Sequence, residues 1–234
     1  MAHGTPTRPV AAVLDARGRS VVSSRAPMRS MCRRCLRPTD FCACAELPVI
    51  PSRTRVILLQ HPREARLAIC SAWLTRVALE NSELHRGIAF EDHAAVRAAA
   101  AIPRAALLFP GGGAVPAGAL ADAPPPVLFV VDGTWPQAEK TLRASPTLAA
   151  LPRVGIFPER PSGYGELRRE PGPEHLSTAE AVALALGALE RDPARFEPLV
   201  RAFRASVEKQ LTCARGERRS PRHRPGSRFA ERHR

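Results

Sequence analysis

The sequence predicts an α/β fold, a mostly parallel sheet with helices on both faces, and three observations predict it. The short apolar runs "RVILL", "AALLF" and "VLFVV" each end in a polar or Gly/Pro-rich loop, as strands covered on both faces do. Stretches with helical spacing alternate with them, which favours parallel pairing through crossover helices. No run reaches the roughly 20 apolar residues that a membrane-spanning helix needs.

In chain order, "RVILLQHPRE" (55–64) reads as a buried strand entering a polar loop, and residues 65–80 follow as a helix with Leu67, Cys70, Leu74 and Val77 on one face. "AALLFPGGG" (105–113) is a strand ending in a proline and three glycines. "VLFVVDGTW" carries the next strand, Val127 to Val131, and a helix from about Pro136 to Ala144. "PRVGIFP" (152–158) is another short strand. Ser177 and Glu180 form an S-x-x-E capping box at the head of a helix over 176–190, and a last helix runs from Pro193 to Thr212. The strand ends at Phe109, Asp132 and Phe157 therefore deliver loops to one edge of the sheet, where open α/β sheets bind ligands.

Charge divides the chain. Residues 1–34 hold seven Arg against one acid, and residues 215–234 hold eight Arg against two, so each arm carries +6 of the total +13 and the body is nearly neutral. Such arms suit a polyanionic partner. The 33 Arg to 2 Lys can reflect composition alone, but that bias does not explain why acids avoid the ends. The expected organisation is a disordered basic arm (1–30), a small cysteine-rich module (31–50), an α/β domain (51–213) and a disordered basic tail (214–234). The N-terminal arm lacks the apolar core of a secretory signal, and a cytoplasmic protein is expected.

Four of six cysteines, Cys32, Cys35, Cys42 and Cys44, form C-x2-C-x6-C-x-C within "CRRCLRPTDFCAC". Two close pairs on two turns can place four thiolates at the corners of a tetrahedron, and reduced cytosolic thiols favour a structural zinc over disulfides. Arg33, Arg34 and Arg37 would help to stabilise the thiolates. Cys70 and Cys213 stand apart and receive no function.

Asp132 and Trp135 leave the end of an apolar strand, a position for a functional carboxylate, although Asp132 or Thr134 would serve equally as the N-cap of the following helix. The "PGGGA" turn at 110–114 lacks the spacing of a dinucleotide or Walker loop and only permits close backbone approach to a ligand. His61, Arg168 and Arg169 add polar groups in prominent loops.

Taken together, D-G-T-W at 132–135, the cysteine motif, "QHPRE" at 60–64, "LRRE" at 167–170 and "LSTAEA" at 176–181 resemble the DTW-domain family, in the right order over roughly residues 31–210. The resemblance implies a branch of the SPOUT superfamily, with a C-terminal trefoil knot that binds S-adenosylmethionine. It also implies an activity: transfer of the 3-amino-3-carboxypropyl group of S-adenosylmethionine to N3 of a tRNA uridine, giving acp3U and methylthioadenosine. On that resemblance the reacting centre comprises Asp132, Thr134 and Trp135. Leu108, Phe109, Pro110 and Gly111, together with Gly133, Thr134, Arg168, Ser177 and Thr178, would hold the cofactor. His61, Arg63 and Arg169 would meet tRNA, with no DNA and no membrane expected. The rival readings are a SPOUT-type RNA methyltransferase and a zinc-containing RNA-binding protein without catalysis.

Overall fold

The computed structural model describes residues 13–14, 20–21, 30, 32–34, 39, 42, 44–67, 70–156 and 176–214. The chain forms two compact units, Met1–Cys42 and Ala43–Arg234. In the first, β1 (Val13–Leu14) pairs antiparallel with β2 (Ser20–Val21). There too, Ser30 is tied to Thr39 through a backbone bond of 2.9 Å and a hydroxyl contact of 2.5 Å.

The second unit carries strands β3 (Arg55–Gln60), β4 (Ser82–Arg86), β5 (Ala106–Leu108), β6 (Val115–Pro116), β7 (Val127–Asp132) and β8 (Arg153–Gly155). Its helices are α1 (Ala72–Ala78), α2 (Ala94–Ala100), α3 (Trp135–Arg143), α4 (Pro146–Ala149), α5 (Thr178–Leu189) and α6 (Pro193–Ala214). The six strands form one sheet in the order β4-β3-β7-β5-β8-β6, and every pairing in it is parallel. Thus β7 returns to lie between β3 and β5, and β8 between β5 and β6.

Alternation along the strands assigns the two faces. Ile57, Leu59, Leu107, Val127 and Phe129 pack in one cluster with Val96 and Ala99 of α2, Leu142 of α3 and Leu148 of α4. The intervening Val56, Leu58, Leu128 and Val130 are buried as well, with α1 and α5 against β3 and β7 and α6 packed on α5. Both faces are therefore covered, which is why the central strands read as unbroken apolar runs. Among the described residues no helix is long and apolar enough to cross a membrane.

Most sequence expectations hold to within two residues, and one helix does not. The helix expected from residue 65 begins at Ala72; Glu64–Arg66 is a single 3-10 turn, and Leu67 is 44% exposed. The reason is tertiary: Cys70 and Ser71 are engaged by Asp132 and Ala179, in contacts described below. β4 has no sequence signal because it is an edge strand of polar residues, "SELHR", paired on one side only. Gly111 and Gly113, with φ of +128° and +82°, adopt the left-handed backbone that leads from β5 into β6. Phe157, Arg168, Arg169, Cys35 and the C-terminal tail lie outside the described residues.

Candidate active site

Parallel register decides which side chains meet at the carboxyl end of the sheet. Asp132 is the register partner of Gln60, and Gln60 is in turn the partner of Arg86 on β4. Gln60 continues the face of Val56 and Leu58, and Asp132 that of Leu128 and Val130, so both side chains emerge on the α1/α5 side. Asp132 is 6% exposed. A carboxylate so buried needs donors, and three supply it. Gln60 Nε2 (3.0 Å) and Cys70 Sγ (3.3 Å) donate to Oδ2, and Thr178 Oγ1 (2.6 Å) donates to Oδ1. The His61 backbone N–H donates to the Asp132 carbonyl at 2.9 Å.

Each donor is itself held. Arg86 Nε donates to Gln60 Oε1 at 3.0 Å, which fixes the amide so that its NH2 faces the carboxylate. Burial pushes the Cys70 thiol far up, and the neighbouring Asp132 charge adds to the shift, so Cys70 stays a neutral donor. Ser71 Oγ accepts the Ala179 N–H at 3.2 Å, and Ser177 and Glu180 exchange side chain to backbone bonds of 3.2 and 3.1 Å at the head of α5. That head is thereby locked with Thr178 aimed at Asp132.

On the other side of Asp132 the chain turns into α3. Gln137 Oε1 accepts the Thr134 N–H at 2.8 Å, so Thr134 takes the N-cap position and Asp132 does not. A Cβ on Gly133 would stand 3.1 Å from Gln137 Cβ and Oε1, so a larger residue there would have to push Gln137 aside by a few tenths of an ångström. Trp135 meets Phe109 edge to face at 5.4 Å, and the Arg153 guanidinium lies 5.5 Å from the Phe109 ring centre. Leu108 is buried, while Pro110 and Gly111 are exposed beside this aromatic pair.

The expected residues thus divide. Asp132, Gly133, Thr134, Trp135, Ser177 and Thr178 gather at the carboxyl ends of the strands, with Leu108 and Phe109 at the end of β5. Ser177 spends its hydroxyl on the Glu180 N–H. His61 is buried, its Nδ1 accepting the Arg63 N–H at 3.2 Å, whereas Arg63 is exposed. Sequence reasoning missed Gln60, Cys70 and Arg86. The one available signal was a Gln ending an otherwise apolar strand, and register alone shows what it faces.

Within the first unit the thiols of Cys32 and Cys42 lie within 4.8 Å of each other. Cys44 follows Cys42 by two residues in the sequence. Two sulfurs at this separation are chemically suited to share a thiophilic metal ion.

Residues 29–211 match the DTW domain. The chain belongs to the DTW-domain family. Within it, this DTW domain is similar to tRNA-uridine aminocarboxypropyltransferase 2 of Drosophila melanogaster, 32% identical over 78% of this chain and 76% of that protein. It is similar to tRNA-uridine aminocarboxypropyltransferase A of Arabidopsis thaliana, 30% identical over 72% of this chain and 76% of that one. The mouse protein named tRNA-uridine aminocarboxypropyltransferase 2 is 30% identical over 80% of this chain and 65% of its own length. No solved structure matches this DTW domain. The residues of its D-G-T-W segment have separate tasks: Asp132 is the buried acceptor, Gly133 leaves room for Gln137, Thr134 caps α3 and Trp135 faces Phe109.

Proposed function

We propose that this protein is a tRNA-uridine aminocarboxypropyltransferase, carrying the 3-amino-3-carboxypropyl group of S-adenosylmethionine to N3 of a tRNA uridine. The likeness of most of the chain to proteins named for that transfer carries the reading. The buried carboxylate at the carboxyl edge of the sheet agrees with its chemistry. The co-substrate supplies a sulfonium, which makes the adjacent methylene carbon electrophilic. What the protein must add is alignment of that carbon with N3 and removal of one proton.

In this reading Asp132 is the final acceptor of the N3 proton, as N3 bonds to the methylene carbon and the C–S electron pair returns to sulfur. Phe109 and Trp135 offer an apolar wall for a flat ring. The Leu108–Gly111 turn and Gly133 let the backbone approach the co-substrate, and Arg168 would pair with its carboxylate. Arg63 and Arg169 would face tRNA phosphate, with His61 shaping the loop that carries Arg63. The sheet order, with β7 and β8 inserted between earlier strands, supports the proposal of a SPOUT-like fold with a C-terminal knot. Cys32, Cys35, Cys42 and Cys44 would hold a structural zinc, in a protein working in the reducing cytoplasm.

Nucleoside mass spectrometry of unmodified tRNA incubated with the protein and S-adenosylmethionine tests the reading: acp3U is the expected product. A methylated uridine instead would make this a methyltransferase, and tRNA binding with no product would leave a binding protein. Elemental analysis of the wild type and Cys32→Ser should show zinc in the first and much less in the second.

A further inference from the structure

We infer that the proton of the uridine does not reach Asp132 directly but passes through the Thr178 hydroxyl, making Thr178 a proton-relay residue rather than a co-substrate ligand. The inference rests on the transferase reading and deepens it.

Three observations lead there. First, Asp132 is almost sealed: Gln60 and Cys70 occupy Oδ2, and Thr178 occupies Oδ1. Second, Thr178 is only half-buried, so of the two groups in the 2.6 Å contact it is the one with open surface. Its hydroxyl gives its proton to Asp132 and keeps its oxygen lone pairs for an incoming donor. Third, the hydroxyl is built into place. Ser71 holds the Ala179 N–H, and the Ser177–Glu180 box fixes the first turn of α5, so the backbone that carries the donor is held beside the carboxylate.

The step balances without a further reagent. The uridine N3–H donates to Thr178 Oγ1 as the Thr178 hydroxyl proton moves to Asp132 Oδ1. The N3 electron pair forms the C–N bond, and the C–S pair leaves with sulfur as a neutral thioether. Reversal of the relay returns the proton from Asp132 to water once product has gone. Placement at the head of a 12-residue helix also suits the step, because the positive end of its dipole favours an N3 that has lost its proton.

The test compares Thr178→Val, Thr178→Ser and wild type in single-turnover transfer to tRNA, with tRNA and S-adenosylmethionine binding measured by calorimetry. A relay predicts that Thr178→Val binds both within about threefold of wild type yet transfers about 100-fold or more slowly, and that Thr178→Ser restores most of the rate. It also predicts that tRNA made with 5-fluorouridine, whose N3–H is more acidic, recovers much of the rate of Thr178→Val. Weaker S-adenosylmethionine binding by Thr178→Val in proportion to its lost rate would overturn the relay in favour of a ligand role, as would transfer at the wild-type rate. Absence of acp3U from the wild type itself would instead remove the transferase reading, so the two failures are separable.

Discussion

Replacing Asp132 by Asn separates the chemistry of the site from its architecture. The amide has the shape of the carboxylate, and it can turn its carbonyl toward Gln60 Nε2 and Cys70 Sγ, which donate at 3.0 and 3.3 Å. Its NH2 then faces Thr178 Oγ1, and the hydroxyl must rotate to accept where it had donated. Two hydrogen bonds to a charge become neutral, a loss of about 1 kcal/mol each, partly offset because a neutral amide is cheaper to bury. The net cost is about 1–2 kcal/mol, or a melting temperature lower by roughly 2–8 °C for a domain of this size. Activity should fall far more, about 100-fold to 10,000-fold, because no acceptor for the proton remains. Asp132→Leu, by contrast, strips the acceptor from Gln60 and Thr178 and should cost about 3 kcal/mol or more. Thermal melts and nucleoside mass spectrometry read both effects. Wild-type transfer by Asp132→Asn would refute the role in proton removal, and a wild-type melt for Asp132→Leu would refute the buried network.

Three further outcomes are expected. Because the folded-state value of the Cys70 thiol is raised above its ordinary 9.0, folding holds a proton there that the unfolded chain releases. Its contribution is whole below that pH, and stability should fall by about 1.4 kcal/mol per pH unit above it. Urea unfolding from pH 8 to 11 should show this slope in wild type and a flatter one in Cys70→Ala. Glu190 is buried and accepts the Arg53 N–H at 2.8 Å and Arg195 Nη1 at 2.9 Å, tying the end of α5 to the start of β3. Glu190→Leu should therefore lose about 2–4 kcal/mol in urea, discounted for the partly exposed arginines, with no change in S-adenosylmethionine affinity. Trp135→Ala removes the ring that faces Phe109 at 5.4 Å, and calorimetry should show S-adenosylmethionine binding weakened about tenfold or more, whereas unchanged affinity would make the indole a packing residue only.

Much of this protein is decided locally. Apolar runs with no polar break force strands covered on both faces, so β3, β5 and β7 and their parallel pairing were legible. The Ser177–Glu180 box marks the head of α5 because the two residues satisfy orphan N–H groups within one turn. Asp132 was legible as a carboxylate at a strand end. Its neighbours were not. Gln60 and Cys70 precede it by 72 and 62 residues and Thr178 follows by 46, so no local pattern joins them. Register brings them together: pairing Gln60 with Asp132 and with Arg86 puts three side chains on one row across three strands. A shift of one residue would send each to the opposite face. The same non-local demand explains the misplaced start of α1, since Cys70 and Ser71 are recruited by Asp132 and Ala179 before the chain can coil. Periodicity settles which segments are buried; tertiary pairing alone settles which polar groups the burial brings into contact.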